Sequence, residues 1–143
     1  MEQYIIIING PNLNLLGHRQ PDIYRHRTLD DIIEGLSFEF PDIRLESIQS
    51  NSEGDLIDAI HDTRDDNDCI GIVLNAGAYT HTSLALADAI AAVPTPVVEV
   101  HLSNIATREP IRRTSLIAPY CIGTIAGFGA LGYSLAVRAL LSR

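Results

Sequence analysis

The sequence of 143 residues contains no lysine, and all ten of its basic residues are arginine. Schiff-base catalysis and the covalent attachment of pyridoxal phosphate both require a lysine amine. A P-loop also needs a lysine, which contacts the phosphates of a bound nucleotide. The absence of lysine therefore excludes these three classes of mechanism.

Cysteine is scarce as well, and only Cys69 and Cys121 are present. Each stands at the start of an apolar run, which is typical of a buried free thiol. A disulfide or a metal site would need suitably placed partners, and no spacing of His, Cys, Asp and Glu indicates a metal centre. We therefore expect two buried free thiols and no bound metal.

Long apolar runs and positive charge are missing too. No apolar stretch approaches the roughly 20 residues of a membrane span, and the first residues lack the basic and hydrophobic regions of a signal peptide. The formal net charge is −8, which disfavours nucleic acid because Lys and Arg dominate the binding of phosphates. We expect a soluble, cytoplasmic protein with neither a membrane nor a nucleic acid as its partner.

What the sequence does contain is a regular alternation of strands and helices. Five apolar runs predict strands at 4–9, 43–49, 70–74, 97–100 and 121–126. Four segments with helical spacing lie between or after them, capped by Thr28, by Ser52, by Thr82 or Ser83, and beginning at Leu131. Continuous apolar strands are typical of a parallel sheet with helices on both faces. We predict a single α/β domain over 1–143, a three-layer flavodoxin-like fold with a five-stranded parallel sheet in the order 2-1-3-4-5.

The residues after the strands predict the position of a site, because ligands of open parallel sheets bind beyond the carboxyl ends of the strands. Polar groups follow three strands: Asn12, Arg19 and Tyr24 after the first, NAGAYTHTS (75–83) after the third, and EVHLSN (99–104) with REPIRR (108–113) after the fourth. Three arginines in six residues of an acidic chain suggest an anionic ligand such as a carboxylate. Taken singly, each of these groups could equally be structural or solvent-exposed.

Glu99 and His101 are two residues apart on a predicted strand, so their side chains point to one side. A carboxylate there can fix the tautomer and orientation of the imidazole, as a proton donor or acceptor requires. The alternative is a structural polar pair.

The segment GFGALG at 127–132 matches the dinucleotide fingerprint GxGxxG. That fingerprint needs a following strand and an acidic residue about 20 positions further on, and neither is present. We interpret the segment as a tight turn and a point of close helix packing.

Together these segments resemble the type II 3-dehydroquinate dehydratases. The matching stretches occur in that family's order and spacing over nearly the whole chain: NGPNLNLLG (9–17), RQPDIY (19–24), NAGAYTHTS, VEVHLSN (98–104), Arg108-Glu109 and GFGALGY (127–133). The resemblance implies a flavodoxin-like lyase that converts 3-dehydroquinate to 3-dehydroshikimate without a metal or an organic cofactor. It also implies a homododecamer built from trimers.

The resemblance implies a role for each matching residue. Tyr24 would be the general base with Arg19 as its electrostatic partner, and His101 would be the general acid held by Glu99. Asn12 and Asn75 would position a water and the developing enolate. The substrate would be bound by His81, Leu102, Ser103 and Arg112, and by Asp88 reaching into the site of a neighbouring subunit.

Several positions depart from the family pattern, among them Arg25 after the base, Ala76 in NAGAYTHTS, and Ala106 and Arg113 at the predicted rim of the site. Two alternatives therefore stay open. One is a non-catalytic flavodoxin-like module that binds small carboxylates, and the other is a dehydratase that enolises a related hydroxy acid. The dehydratase step itself occurs in both aromatic biosynthesis and quinate breakdown.

Overall fold

In a computed structural model, which describes residues 2–18 and 27–143, five strands form one sheet. They are β1 Tyr4–Asn9, β2 Arg44–Gln49, β3 Cys69–Asn75, β4 Val97–His101 and β5 Gly123–Ala126. All neighbouring pairs are parallel, and the order is β2-β1-β3-β4-β5. The predicted fold class, strand direction and strand order are confirmed.

In the part of the chain that the structure describes, four helices of eight or more residues cover the sheet: α1 Leu29–Glu39, α2 Glu53–His61, α3 Leu84–Ala91 and α4 Leu131–Leu141. Helices α2 and α3 share one buried cluster with Ile6, Ile8 and Leu74, whereas α1 and α4 share another with Ile5 and Ile7. Successive residues of β1 thus face opposite cores, which explains why this strand is apolar throughout. Within the described ranges, no helix is both long and apolar enough to cross a membrane.

The helix starts follow the predicted capping residues. The Thr28 hydroxyl accepts from the Asp31 backbone N–H while the Asp31 carboxylate accepts from the Thr28 N–H, so α1 begins with a full capping box. These hydrogen bonds, chiefly the one from the Thr28 backbone, lower the pKa of Asp31. Ser52 caps α2, and Ser83 rather than Thr82 caps α3 by accepting from the Leu86 N–H.

Two strands are shorter than predicted: β2 begins one residue later, at Arg44, and β5 begins at Gly123, two residues later, after the 3₁₀ turn Ala118–Tyr120. Cys121 therefore lies before the strand and is half-buried, which corrects the expectation that both thiols are buried; Cys69 is buried, and both are free. Burial, and then the negative charge of Glu99, raises the pKa of Cys121 to about 12. Burial also raises the pKa of Cys69.

The raised pKa of Cys121 predicts a loss of stability in alkali. Below its ordinary pKa of 9.0 the thiol is neutral in both states; between 9.0 and about 12 it ionises only in the unfolded chain. The free energy of unfolding should therefore fall as the pH rises through this window. Denaturant unfolding can be measured from about pH 8 to about pH 10.5. The free energy of unfolding should fall less over this range for Cys121→Ser, whose hydroxyl does not titrate. An identical pH slope in the two proteins would contradict this.

Gly10 stands where β1 passes into the polar loop, in close contact with the residue that follows β3. A Cβ atom on Gly10 would lie 2.5 Å from the carbonyl oxygen of Ala76, so a side chain there forces two backbone segments apart. We expect Gly10→Ala to lower the free energy of unfolding by roughly 1–3 kcal/mol. Gly54→Ala is the matched control, because its Cβ would meet only the Ser52 Oγ at 3.8 Å and alanine favours the helix. Equal unfolding midpoints for the two variants would refute the predicted clash.

Candidate active site

The polar segments that follow β1, β3 and β4 line one cleft of about 500 Å³ at the carboxyl edge of the sheet. Register explains why they meet, since Asn9 pairs with Asn75 at the ends of β1 and β3 and Leu74 pairs with Glu99 of β4. The sequence-predicted residues in the lining are Asn12, Asn75, His81, His101, Leu102, Ser103 and Arg112. A cleft therefore lies at the carboxyl edge of the sheet, where the sequence predicted the site.

Glu99 and His101 form a buried pair on β4. Their relative exposures are 0% and 5%, and the imidazole Nε2 is hydrogen-bonded to Glu99 Oε2. The second carboxylate oxygen, Oε1, accepts from the Thr124 hydroxyl at 3.3 Å, because Thr124 of β5 is the register partner of Glu99. An ionised carboxylate can only accept, so Nε2 carries a hydrogen and Nδ1 is the nitrogen left for chemistry.

His81 presents a second imidazole beside the first. It ends the 3₁₀ turn Gly77–His81, and its Nδ1 is 2.8 Å from the Thr114 carbonyl oxygen. Since a carbonyl only accepts, Nδ1 donates and Nε2 is left for a ligand. The two rings are roughly stacked, with centroids 6.3 Å apart and planes 23° apart. The cleft therefore offers two imidazoles with opposite nitrogens free.

The arginines of REPIRR do not all serve the cleft. Arg108 and Arg112 line it, while the Arg113 Nε donates to the Arg108 carbonyl at 2.8 Å. Arg108 also donates to the Ser103 Oγ at 3.2 Å. Arg112 and Glu109 form a close ion pair, Nε to Oε1 2.7 Å, without hydrogen-bond geometry. Two cations, Arg108 and Arg112, thus line the cleft, whereas their partner Glu109 is not in its described lining, and the arginines suit this wall of the cleft to an anion.

The Glu109 carboxylate that pairs with Arg112 has a lowered pKa. A hydrogen bond from its own backbone N–H, and then the charges of Arg112 and Arg108, keep the pKa of Glu109 below its usual value. Arg108 is one of the three arginines that suggest an anionic ligand in the sequence, although the resemblance assigns it no role. Its contact with Ser103 could not be predicted from the sequence.

Asn12 and Asn75 contribute in different ways. Asn12 is the one described non-glycine residue with positive φ, at 70°, and its backbone N–H donates to the Asn51 Oδ1 at 3.0 Å. Asn75 is buried; its Oδ1 accepts from the Gly77 N–H at 3.2 Å and its Nδ2 donates to the Tyr133 hydroxyl at 3.1 Å. The amide of Asn75 is thus fixed at both ends.

The structure does not place three predicted site residues in this group. Asp88 lies on an exposed part of α3 and is absent from the described lining of the cleft. Arg19 and Tyr24 lie outside the described residues, as does Arg25. The roles predicted for these residues stay predictions.

The GFGALG segment is hydrogen-bonded to the backbone of two cleft residues, His101 and Leu102. Gly127 and Gly129 have φ of 96° and 59°, which favours glycine. Their backbone N–H groups donate to the His101 and Leu102 carbonyls at 3.3 and 2.9 Å. At Gly132 a Cβ would lie 3.3 Å from Val100. The geometry agrees with the interpretation as a tight turn and a close helix contact.

Comparison with known proteins gives the same family for the whole chain. A family model described as Dehydroquinase class II matches residues 3–141. A protein named 3-dehydroquinate dehydratase from Exiguobacterium sp. is 53% identical over 138 residues, covering 96% of this chain and 93% of that protein. One of the same name from Jannaschia sp. is 54% identical over 139 residues, covering 96% and 93%. The crystal structure of type II dehydroquinase from Butyrivibrio crossotus superposes with a TM-score of 0.91 at 40% identity, covering 98% of each chain.

Proposed function

Because the chain belongs to the class II dehydroquinase family, we propose that it is a 3-dehydroquinate dehydratase that forms 3-dehydroshikimate. The observation that carries this proposal is the buried Glu99–His101 pair in a cleft bordered by Arg108 and Arg112. An oriented imidazole beside an anion-binding rim suits the loss of a hydroxyl from a small carboxylic acid. We assign the activity to a single catalytic domain of residues 1–143.

The reaction we propose is an anti elimination through an enolate. The Tyr24 phenolate, stabilised by Arg19, removes the proton next to the ketone, and the electron pair passes to the carbonyl oxygen. The enolate then collapses: its C=O bond re-forms and its C=C electron pair moves to make the new C=C bond of the product. The C–O bond of the hydroxyl breaks as the His101 imidazolium gives it a proton, and water leaves. The buried Glu99 carboxylate makes the imidazolium part of an ion pair rather than an isolated buried charge.

The enolate oxygen needs a hydrogen-bond donor where its negative charge develops. We propose that a water held by Asn12 and Asn75 is this donor, which takes the part played by an iminium in lysine-based enzymes. The chain has no lysine, so the Schiff-base route to the same product is closed to it. His81, Leu102, Ser103 and Arg112 would bind the substrate, with Arg108 as an added contact to its carboxylate.

The test is to mix the purified protein with 3-dehydroquinate and to follow the ultraviolet absorbance of the conjugated enone, with calorimetry for binding in parallel. Turnover supports the proposal. Binding without turnover would instead identify a carboxylate-binding module. If the protein neither binds nor converts 3-dehydroquinate but dehydrates another β-hydroxy ketone acid, it is a different enolising dehydratase.

The assembly is a separate proposal. We propose a homododecamer built from trimers, acting in the cytoplasm in aromatic biosynthesis or quinate breakdown, with Asp88 completing the cleft of a neighbouring subunit. The exposed position of Asp88, away from the cleft of its own chain, is what this role requires. Light scattering tests the assembly, and a monomer with full turnover would refute both the dodecamer and the role of Asp88.

A further inference from the structure

We infer that the hydroxyl of Tyr133 positions the Asn75 amide for the reaction, an inference that rests on the proposed function. Tyr133 lies on α4, at the end of the GFGALGY segment, and is 0% exposed. It does not line the cleft. Its hydroxyl joins the Asn75 amide to the Asn9 amide, at the carboxyl ends of β3 and β1.

The direction of each hydrogen bond follows from one fixed donor. The Gly77 backbone N–H can only donate, so the Asn75 atom 3.2 Å from it is the carbonyl Oδ1. The other end of that amide is then Nδ2, which can only donate, so the Tyr133 oxygen accepts from it at 3.1 Å. The single proton of Tyr133 is left for Asn9, whose facing atom must be Oδ1.

The phenol keeps the proton that this arrangement needs. Burial raises the pKa of Tyr133 well above its ordinary value, against a smaller lowering by the hydrogen bond from Asn75. The hydroxyl therefore stays neutral at physiological pH, donating to Asn9 and accepting from Asn75.

This chain of contacts decides what Asn75 offers to the cleft. Because Gly77 holds Oδ1 and Tyr133 holds one Nδ2 hydrogen, the amide cannot rotate to exchange its oxygen and nitrogen. Its second N–H is unused by the described residues. A fixed N–H donor beside the cleft suits a water that must donate to an enolate oxygen. An inverted amide would present a carbonyl oxygen to the developing negative charge. Tyr133 is thus a positioning residue that acts through Asn75.

The test variant is Tyr133→Phe, which keeps the buried ring and removes the hydroxyl. We expect its kcat to fall about 10- to 100-fold, the effect of a misplaced group, with KM within about threefold of wild type. Tyr4→Phe is the matched control: it also loses a buried tyrosine hydrogen bond, 2.7 Å to Asp66, but at the opposite end of β1. We expect it to keep the wild-type kcat.

A double-variant cycle separates positioning from general destabilisation. In an Asn75→Ala background, Tyr133→Phe should cause no further fall in kcat, because the group that it positions is gone. An unchanged kcat for Tyr133→Phe, an equal fall in both backgrounds, or an equal fall for Tyr4→Phe would overturn the inference. If Tyr133→Phe does not fold, Asn9→Ala, which removes the acceptor of the Tyr133 proton, takes its place under the same criteria.

A crystal structure of the Tyr133→Phe variant would test the inference without the activity assay. Absence of turnover in the wild-type protein would refute the proposed function, and the position of the Asn75 side chain would then decide. A displaced or rotated Asn75 supports positioning by Tyr133. An Asn75 side chain that keeps both its place and its contact with Gly77 overturns it.

Discussion

Replacing His101 with alanine is expected to lower kcat about 10²- to 10⁴-fold, the range for removal of a general acid. The imidazole is fixed by Glu99 on Nε2, so Nδ1 is the nitrogen that can give a proton to the leaving hydroxyl. Without that proton, hydroxide would have to leave as an anion. Enolate formation, which depends on a different residue, should continue.

Solvent deuterium separates the two steps. In D₂O the His101→Ala protein should return 3-dehydroquinate labelled next to its ketone while product formation is slow, because the enolate is made and reprotonated. His61→Ala is the control, since His61 is an exposed residue at the end of α2, and it should match wild type in both steps. Equal slowing of exchange and elimination by His101→Ala would argue against its role as the acid.

Stability has to be measured on the same variant. Alanine at 101 leaves the buried Glu99 carboxylate with the Thr124 hydroxyl as its one hydrogen-bond partner among the described residues, and an unpaired buried charge is costly. Glu99→Gln avoids this problem, because it removes the charge and leaves the imidazole in place. We expect that variant to fold and to lose less kcat than His101→Ala, since the imidazole is present but has lost the carboxylate that stabilises its protonated form.

Much of this architecture was predictable because it depends on local patterns. Apolar runs predict the five strands, and the alternation with helices predicts the parallel order. Thr28 and Asp31 predict the start of α1 through a mechanism that acts within four residues. The start of β5 is an exception. The apolar run begins at Cys121, directly after the 3₁₀ turn Ala118–Tyr120, but the strand begins only at Gly123.

What the sequence could not predict depends on contacts between distant segments. The orientation of His81 is set by the Thr114 carbonyl, a backbone atom that no side-chain pattern reports. Asn75 and Tyr133 are 58 positions apart, and Asn9 and Tyr133 are 124 apart. The segment around Tyr133 was correctly interpreted as a turn and a packing point. The Tyr133 hydroxyl reaches the carboxyl edge of the sheet only because α4 packs against β3 and β4.

Replacing Tyr24 with phenylalanine is expected to slow both steps, with a fall in kcat of about 10²- to 10⁴-fold and little change in substrate binding. A free tyrosine has a pKa of about 10, so only about one part in a thousand is phenolate at pH 7. A neighbouring arginine favours the phenolate. Lowering that pKa by two units would take about 2.7 kcal/mol of differential stabilisation, which one close guanidinium can supply. Phenylalanine has no hydroxyl, so it cannot form the phenolate that would act as the base.

The deuterium experiment distinguishes this loss from that of His101→Ala. Tyr24→Phe should return unlabelled 3-dehydroquinate, because no enolate forms, whereas His101→Ala should return labelled substrate. Tyr120→Phe is the control, since Tyr120 is 52% exposed and its variant should behave as wild type. Arg19→Ala should regain kcat as the pH rises, because an unassisted phenol ionises nearer its ordinary pKa. Deuterium in the substrate recovered from Tyr24→Phe would assign the base to another residue, and a flat pH profile for Arg19→Ala would remove Arg19 as its partner.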